Sequence, residues 1–147
     1  MMTVTPDQIL EFVGNHWLMT SALFIVTLLL IQDILDTAFR KHKTVSPTEA
    51  VVLMNDENTV VIDVREPNEF SEGHIEGARN IPLAKLTERA GELENRKQTP
   101  IIVTCQSGTR SMAAGKTLTQ LGFTQVFEMK GGMFAWKDQN LPISKKR

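Results

Sequence analysis

The sequence predicts an α/β domain built on a parallel sheet with helices on both faces, preceded by one transmembrane helix. Three observations predict it: a charge-free apolar run near the N-terminus, short β-branched runs alternating with helical segments, and a lone cysteine where one such run ends. The 147 residues hold one domain of about 100 to 150 residues plus an appendage, which excludes a two-domain enzyme. Sixteen Lys+Arg against seventeen Asp+Glu leave a formal charge of −1, so there is no basic excess to hold a nucleic acid. Cys105 has no second cysteine to pair with. Together with His16, His42 and His74 it matches no zinc spacing, so neither a disulfide, a metal nor a cofactor is expected.

From Phe12 to Gln32 there are 21 residues without Asp, Glu, Lys or Arg. As a helix they rise about 31 Å, the thickness of a hydrocarbon core. A buried core helix apolar on every face needs a covering shell that the remaining chain cannot spare. A cleaved signal peptide needs a basic start and a small-residue cleavage site, whereas Asp7 and Glu11 precede the run and the flank after Ile31 reads Gln32-Asp33. No Lys or Arg precedes the run, and Arg40, Lys41 and Lys43 follow it, so the C-terminal domain is expected to face the cytoplasm. The parts are then an extracytoplasmic segment 1–11, a transmembrane helix 12–32, a juxtamembrane linker 33–45, a domain 46–142 and a basic tail 143–147.

The domain opens with Ser46-Pro47-Thr48-Glu49, an N-cap, a first-turn proline and a capping-box glutamate, which predict a helix to about Met54. Thr59–Val64 is a β-branched run read as a buried strand. Short helices are expected over 67–72 and 86–93, and Pro100–Thr104 is the second clear strand. Apolar Ala114, Leu118 and Leu121 recur at helical spacing over 111–121, and Gly122 stops that helix. Gln125–Met129 is a third strand, and 132–139 a last helix containing Trp136. In such open sheets ligands bind beyond the carboxyl ends of the strands.

Cys105 ends a strand and is followed by Gln106-Ser107-Gly108-Thr109-Arg110, then a helix. A loop of this length with a central glycine curls so that its N–H groups turn inward. The helix start and Arg110 add positive potential, and each favours a nucleophilic thiolate. Such chemistry requires the thiol to be reachable from solvent. Cysteine phosphatases need five residues between Cys and Arg to grip a phosphoryl group. Here there are four, with Ser111 at the position that pattern fills with arginine, and the smaller bowl suits one sulfur atom.

Val61-Ile-Asp-Val-Arg-Glu-Pro67, Glu69-Phe70, Gly73-His-Ile-Glu-Gly-Ala78 with Asn80-Ile-Pro82, the Cys105 loop and Gly131-Gly-Met-Phe-Ala-Trp136 follow one another in an order that resembles the rhodanese-like sulfurtransferases, from about Ser46 to Pro142. With the preceding span, the chain is similar to the small membrane-anchored bacterial members. The resemblance implies a three-layer rhodanese-like domain with a central parallel five-stranded sheet. It implies Cys105 as the catalytic nucleophile that takes a sulfane sulfur from thiosulfate or a persulfide and passes it to a thiol acceptor. Gln106, Ser107, Gly108, Thr109 and Arg110 become the substrate-binding positions, with Arg110 steering an anionic donor. Asp63 and Arg65 stand behind them, mainly tying loops together. His74 is expected to hydrogen-bond a turn, and Trp136 and Phe134 to be core or rim. The implied location is the bacterial inner membrane, single-pass, with no nucleic acid as partner. The alternative is a non-catalytic or relay module that binds a partner protein at the membrane.

Overall fold

The computed structural model describes residues 14–38 and 43–145. The chain divides into two compact units, Met1–Arg40 and Lys41–Arg147. In the first, α1 runs Trp17–Ala38. From Trp17 to Ile31 its large apolar side chains are exposed, among them the consecutive Leu28, Leu29, Leu30 and Ile31, which at 100° per residue look out on most of the helix circumference. The hydroxyls of Thr20, Ser21 and Thr27 donate back to the carbonyls of Trp17, Leu18 and Leu23. Among the described residues no helix is long and apolar enough to cross a membrane, so the span expected over 12–32 is not shown. Phe12 and Val13 lie outside the described residues, and beyond Ile31 the helix sequence turns polar with Gln32, Asp33 and Asp36. The expected segment 1–11, the orienting Arg40 and Lys41, and Lys146 and Arg147 of the tail also lie outside them.

The second unit is a five-stranded parallel sheet wrapped by short helices. Its elements are β1 (Lys43–Val45), α2 (Pro47–Met54), β2 (Val60–Asp63), α3 (Pro67–Glu72), β3 (Arg79–Asn80), α4 (Leu86–Arg89, continued by a 3-10 turn to Arg96), β4 (Ile101–Thr104), α5 (Thr109–Gln120), β5 (Val126–Met129) and α6 (Gly132–Asp138). The strand order is β1-β5-β4-β2-β3. Thus β4 lies at the centre, pairing with β2 through Val61 opposite Ile102 and with β5 through Ile102 opposite Phe127. The linker expected over 33–45 ends in strand: Lys43–Val45 joins the sheet edge against Phe127–Met129. Three residues with only Val45 buried carry too little apolar pattern to be read as strand from sequence.

The pleat explains the two layers of core. Successive side chains of a strand point to opposite faces, so Ile62, Ile101 and Val103 meet Leu86, Leu93, Ala114 and Leu118 on one side. Val61 and Ile102 meet Ala50, Met129, Met133 and Trp136 on the other. At the start of α2 the Ser46 hydroxyl accepts from Glu49 N, while Glu49 Oε2 accepts from Ser46 N at 2.7 Å, as the sequence predicts.

Candidate active site

The carboxyl end of β4 delivers Cys105 directly beneath the start of α5. Gly108, at φ 105°, caps that helix and turns the chain back over the sulfur. Its N–H donates to Cys105 Sγ at 3.1 Å, and the N–H of Ser111 donates at 3.4 Å. The Sγ–H points to Ser111 Oγ at 3.7 Å, and the Ser111 hydroxyl donates on to the Gly108 carbonyl at 2.8 Å. Ser111 N belongs to the first helical turn, whose N–H groups have no partner inside the helix. The sulfur takes up one of them. Peptide N–H groups aimed at a sulfur hold it best when it carries negative charge.

The loop is turned this way because its carbonyls are held elsewhere. Met133 N donates to Cys105 O at 2.7 Å and Phe134 N to Gln106 O at 3.0 Å, so the free N–H groups of α6 end on the cysteine loop. Only glycine fits at the head of that helix. A Cβ on Gly132 would stand 2.3 Å from Cys105 O and 2.8 Å from Gln106 C. The sequence motif Gly131-Gly132 was visible as a family feature, but its contact with the cysteine loop spans 27 positions and needs the fold to be seen.

Each residue expected at the site can now be placed. The inward-facing nitrogens are as expected at Gly108. The second comes from Ser111, outside the expected set, while the amides of Gln106, Ser107, Thr109 and Arg110 make no hydrogen bond to Sγ. Cys105 itself is fully buried, contrary to the expectation of a thiol reachable from solvent. It packs in the same apolar cluster as Val64, Val103 and Ala114, because a residue that ends a central strand inherits the strand's burial.

Arg110 makes no hydrogen bond to the sulfur. Its guanidinium makes a two-pronged pair with Glu69 of α3, at 2.7 and 2.8 Å. Arg65 is buried and spent on structure: its Nη2 donates to Asp63 Oδ2 at 2.6 Å and to the Gly73 carbonyl at 2.8 Å, and its Nη1 to Gln106 Oε1 at 3.0 Å. Asp63 and Arg65 therefore tie the β2 end, the Gly73 turn and the cysteine loop together. His74 Nδ1 bonds the Phe70 carbonyl at 2.8 Å while its ring stacks on Phe70, which makes it a turn residue. Trp136 is buried in the core, and Phe134 is an exposed rim residue. Among the described residues no group of three His, Cys, Asp or Glu side chains is arranged to hold a metal ion.

The Arg110 pair sets one pH dependence. Arg110 holds the Glu69 carboxyl down to about 2 from its ordinary 4.5, chiefly by the side-chain hydrogen bonds. Because the folded value lies below the unfolded one, the pair's contribution is complete above about pH 4.5 and is lost as pH falls toward 2. Both side chains are about one-third exposed, so solvent screening limits it to about 1 kcal/mol or less. In urea melts at pH 7 the wild type is expected to exceed Glu69→Gln by that amount, and the two curves should converge near pH 2. A difference that grows on acidification would contradict the pairing.

Comparison with known proteins gives the family. A model of the rhodanese-like domain matches residues 46–139. The protein YibN of Escherichia coli (strain K12) is 34% identical over 138 residues, covering 93% of this chain and 96% of its own. A protein named thiosulfate sulfurtransferase GlpE, from Pseudoalteromonas translucida, is 33% identical over 95 residues, 65% of this chain and 89% of its own. Among solved structures, a rhodanese-related protein from Thermoplasma volcanium superposes with a TM-score of 0.62 at 32% identity, over 71% of this chain and 99% of that one.

Proposed function

This chain belongs to the rhodanese-like family, and from that premise we propose that it is a membrane-anchored sulfurtransferase that carries a sulfane sulfur on Cys105. The observation that carries the proposal is the pair of N–H groups, Gly108 and Ser111, converging on one buried sulfur at the end of the central strand. That arrangement suits a negatively charged sulfur, and the one arginine of the loop, which a phosphoryl group would need for a two-pronged grip, is engaged by Glu69. A persulfide places its outer sulfur about 2.05 Å beyond Sγ. The loop amides of Gln106, Ser107, Thr109 and Arg110 are the donors that would hold it there. Cys105 is fully buried, so the residues packed over it must part before a donor reaches it. The Cys105 thiolate then attacks the donor's outer sulfur, and the donor's S–S bond breaks with the electron pair leaving on the remaining sulfur. The acceptor thiol attacks the outer sulfur and releases Cys105 as thiolate.

Membrane anchoring through the N-terminal helix is part of the same proposal. It is supported by the charge-free run Phe12–Gln32, by apolar side chains exposed around the helix, and by hydroxyls satisfied within it. Basic residues only on the C-terminal side support a cytoplasmic catalytic unit at the bacterial inner membrane. The test uses the full chain in detergent micelles, treated with a persulfide or with thiosulfate and weighed intact. The expected result is one added sulfur that a thiol or cyanide then removes. No adduct from either donor would overturn the enzymatic reading, and an adduct passed only to a protein partner would favour a relay.

A further inference from the structure

On the reading that Cys105 carries sulfur, we infer that its donor is the persulfide of a carbon-bearing thiol rather than thiosulfate, and that Glu69 sets this preference by holding Arg110 in a neutral pair. The two donors differ most in charge. With thiosulfate, the Cys105 thiolate bonds to the outer sulfur, the S–S bond breaks and its electron pair leaves on sulfite. One negative charge meets two, and the transition state gathers three. With R–S–S–H, the outer sulfur keeps its hydrogen, the S–S bond breaks and the pair leaves on R–S⁻. Only one negative charge is then present.

Neither cation held at the loop by hydrogen bonds brings a whole positive charge to offset three negative ones. The two cations whose hydrogen bonds place them at this loop are Arg65 and Arg110, and each is matched by a carboxylate: Arg65 by buried Asp63, Arg110 by Glu69 through two hydrogen bonds. The peptide N–H groups supply partial charges, enough for one anion. Arg110 is near enough for its charge to couple to Cys105, so releasing it from Glu69 would change the potential at the sulfur. The rim supplies the complementary preference. Phe134 and Met112, 59% and 44% exposed, border the loop through backbone bonds from their N–H groups to the Gln106 and Gly108 carbonyls. A carbon-bearing R group has apolar surface to rest on there, and sulfite has no use for it.

The test measures single-sulfur loading of the full chain in micelles by quenched intact mass, with thiosulfate and with the persulfide of N-acetylcysteinamide, whose only ionisable group is the persulfide. The wild type is expected to load at least about tenfold faster from the persulfide, within the range that charge gives to association rates. Glu69→Gln should raise kcat/KM for thiosulfate about tenfold, mainly through KM, with the gain shrinking in about 1 M salt, where the Debye length is about 3 Å. Its persulfide rate should stay within about twofold, and Glu69→Asp should keep the wild-type preference. Equal wild-type loading from both donors, or an unchanged thiosulfate rate in Glu69→Gln that still loads from the persulfide, would overturn the inference. Loading from neither donor would instead overturn the sulfurtransferase reading on which it rests.

Discussion

Replacing Gly132 with alanine is expected to destabilise the domain by about 2–4 kcal/mol and to stop sulfur loading. The cause is local and has nowhere to relax. The new Cβ would stand 2.3 Å from Cys105 O, 2.8 Å from Gln106 C and 2.9 Å from Gln106 O, and all three are backbone atoms. Those carbonyls are also the acceptors for Met133 and Phe134 N–H, so moving them breaks the bonds that turn the loop N–H groups toward Sγ. At φ 55° the alanine adds backbone strain of about 1–2 kcal/mol. Gly77→Ala separates strain from crowding: its φ is 76° and a Cβ there meets nothing within 4 Å. That variant should lose about 1 kcal/mol and keep its activity. Denaturant midpoints with loading rates for both variants decide the matter. Equal losses of stability, or a fully active Gly132→Ala, would show that contact with α6 does not shape the loop.

Cys105→Ser separates chemistry from folding. The side chain is fully buried and both of its N–H donors have an oxygen to meet after substitution, so stability should change by about 1 kcal/mol or less. A hydroxyl is far less nucleophilic toward sulfur than a thiol and forms no persulfide. Loading should fall by at least about 10³-fold, to the background of the reagents. An undiminished adduct on the serine variant would place the sulfur elsewhere in the chain.

How much of this was legible in the sequence depended on the range of each interaction. Val60–Asp63, Ile101–Thr104 and Val126–Met129 are buried, β-branched or apolar runs, and the helix after Ser46 carries its own capping signal, so local pattern was enough. Arg79–Asn80 is a strand of two residues defined only by its pairing with Ile62 and Asp63, and Lys43–Val45 only by its pairing with β5. Neither has a pattern to read. The nucleophile was legible because a lone cysteine stood where a strand ends. Its burial, the partnership of Arg110 with Glu69 41 positions away, and the docking of α6 on the loop are tertiary facts. Ser111 was missed because first-turn residues are counted as helix, although their N–H groups serve whatever lies before it.

The measurement that bears most directly on the mechanism is a crystal structure of the full chain after persulfide treatment. The expected density shows one extra sulfur on Cys105, within hydrogen-bond reach of the loop N–H groups, with the Gly108 and Ser111 nitrogens still turned inward and Glu69 still paired to Arg110. An added sulfur on another residue, or on Cys105 with the loop nitrogens facing outward, would contradict the cradle on which the function is built.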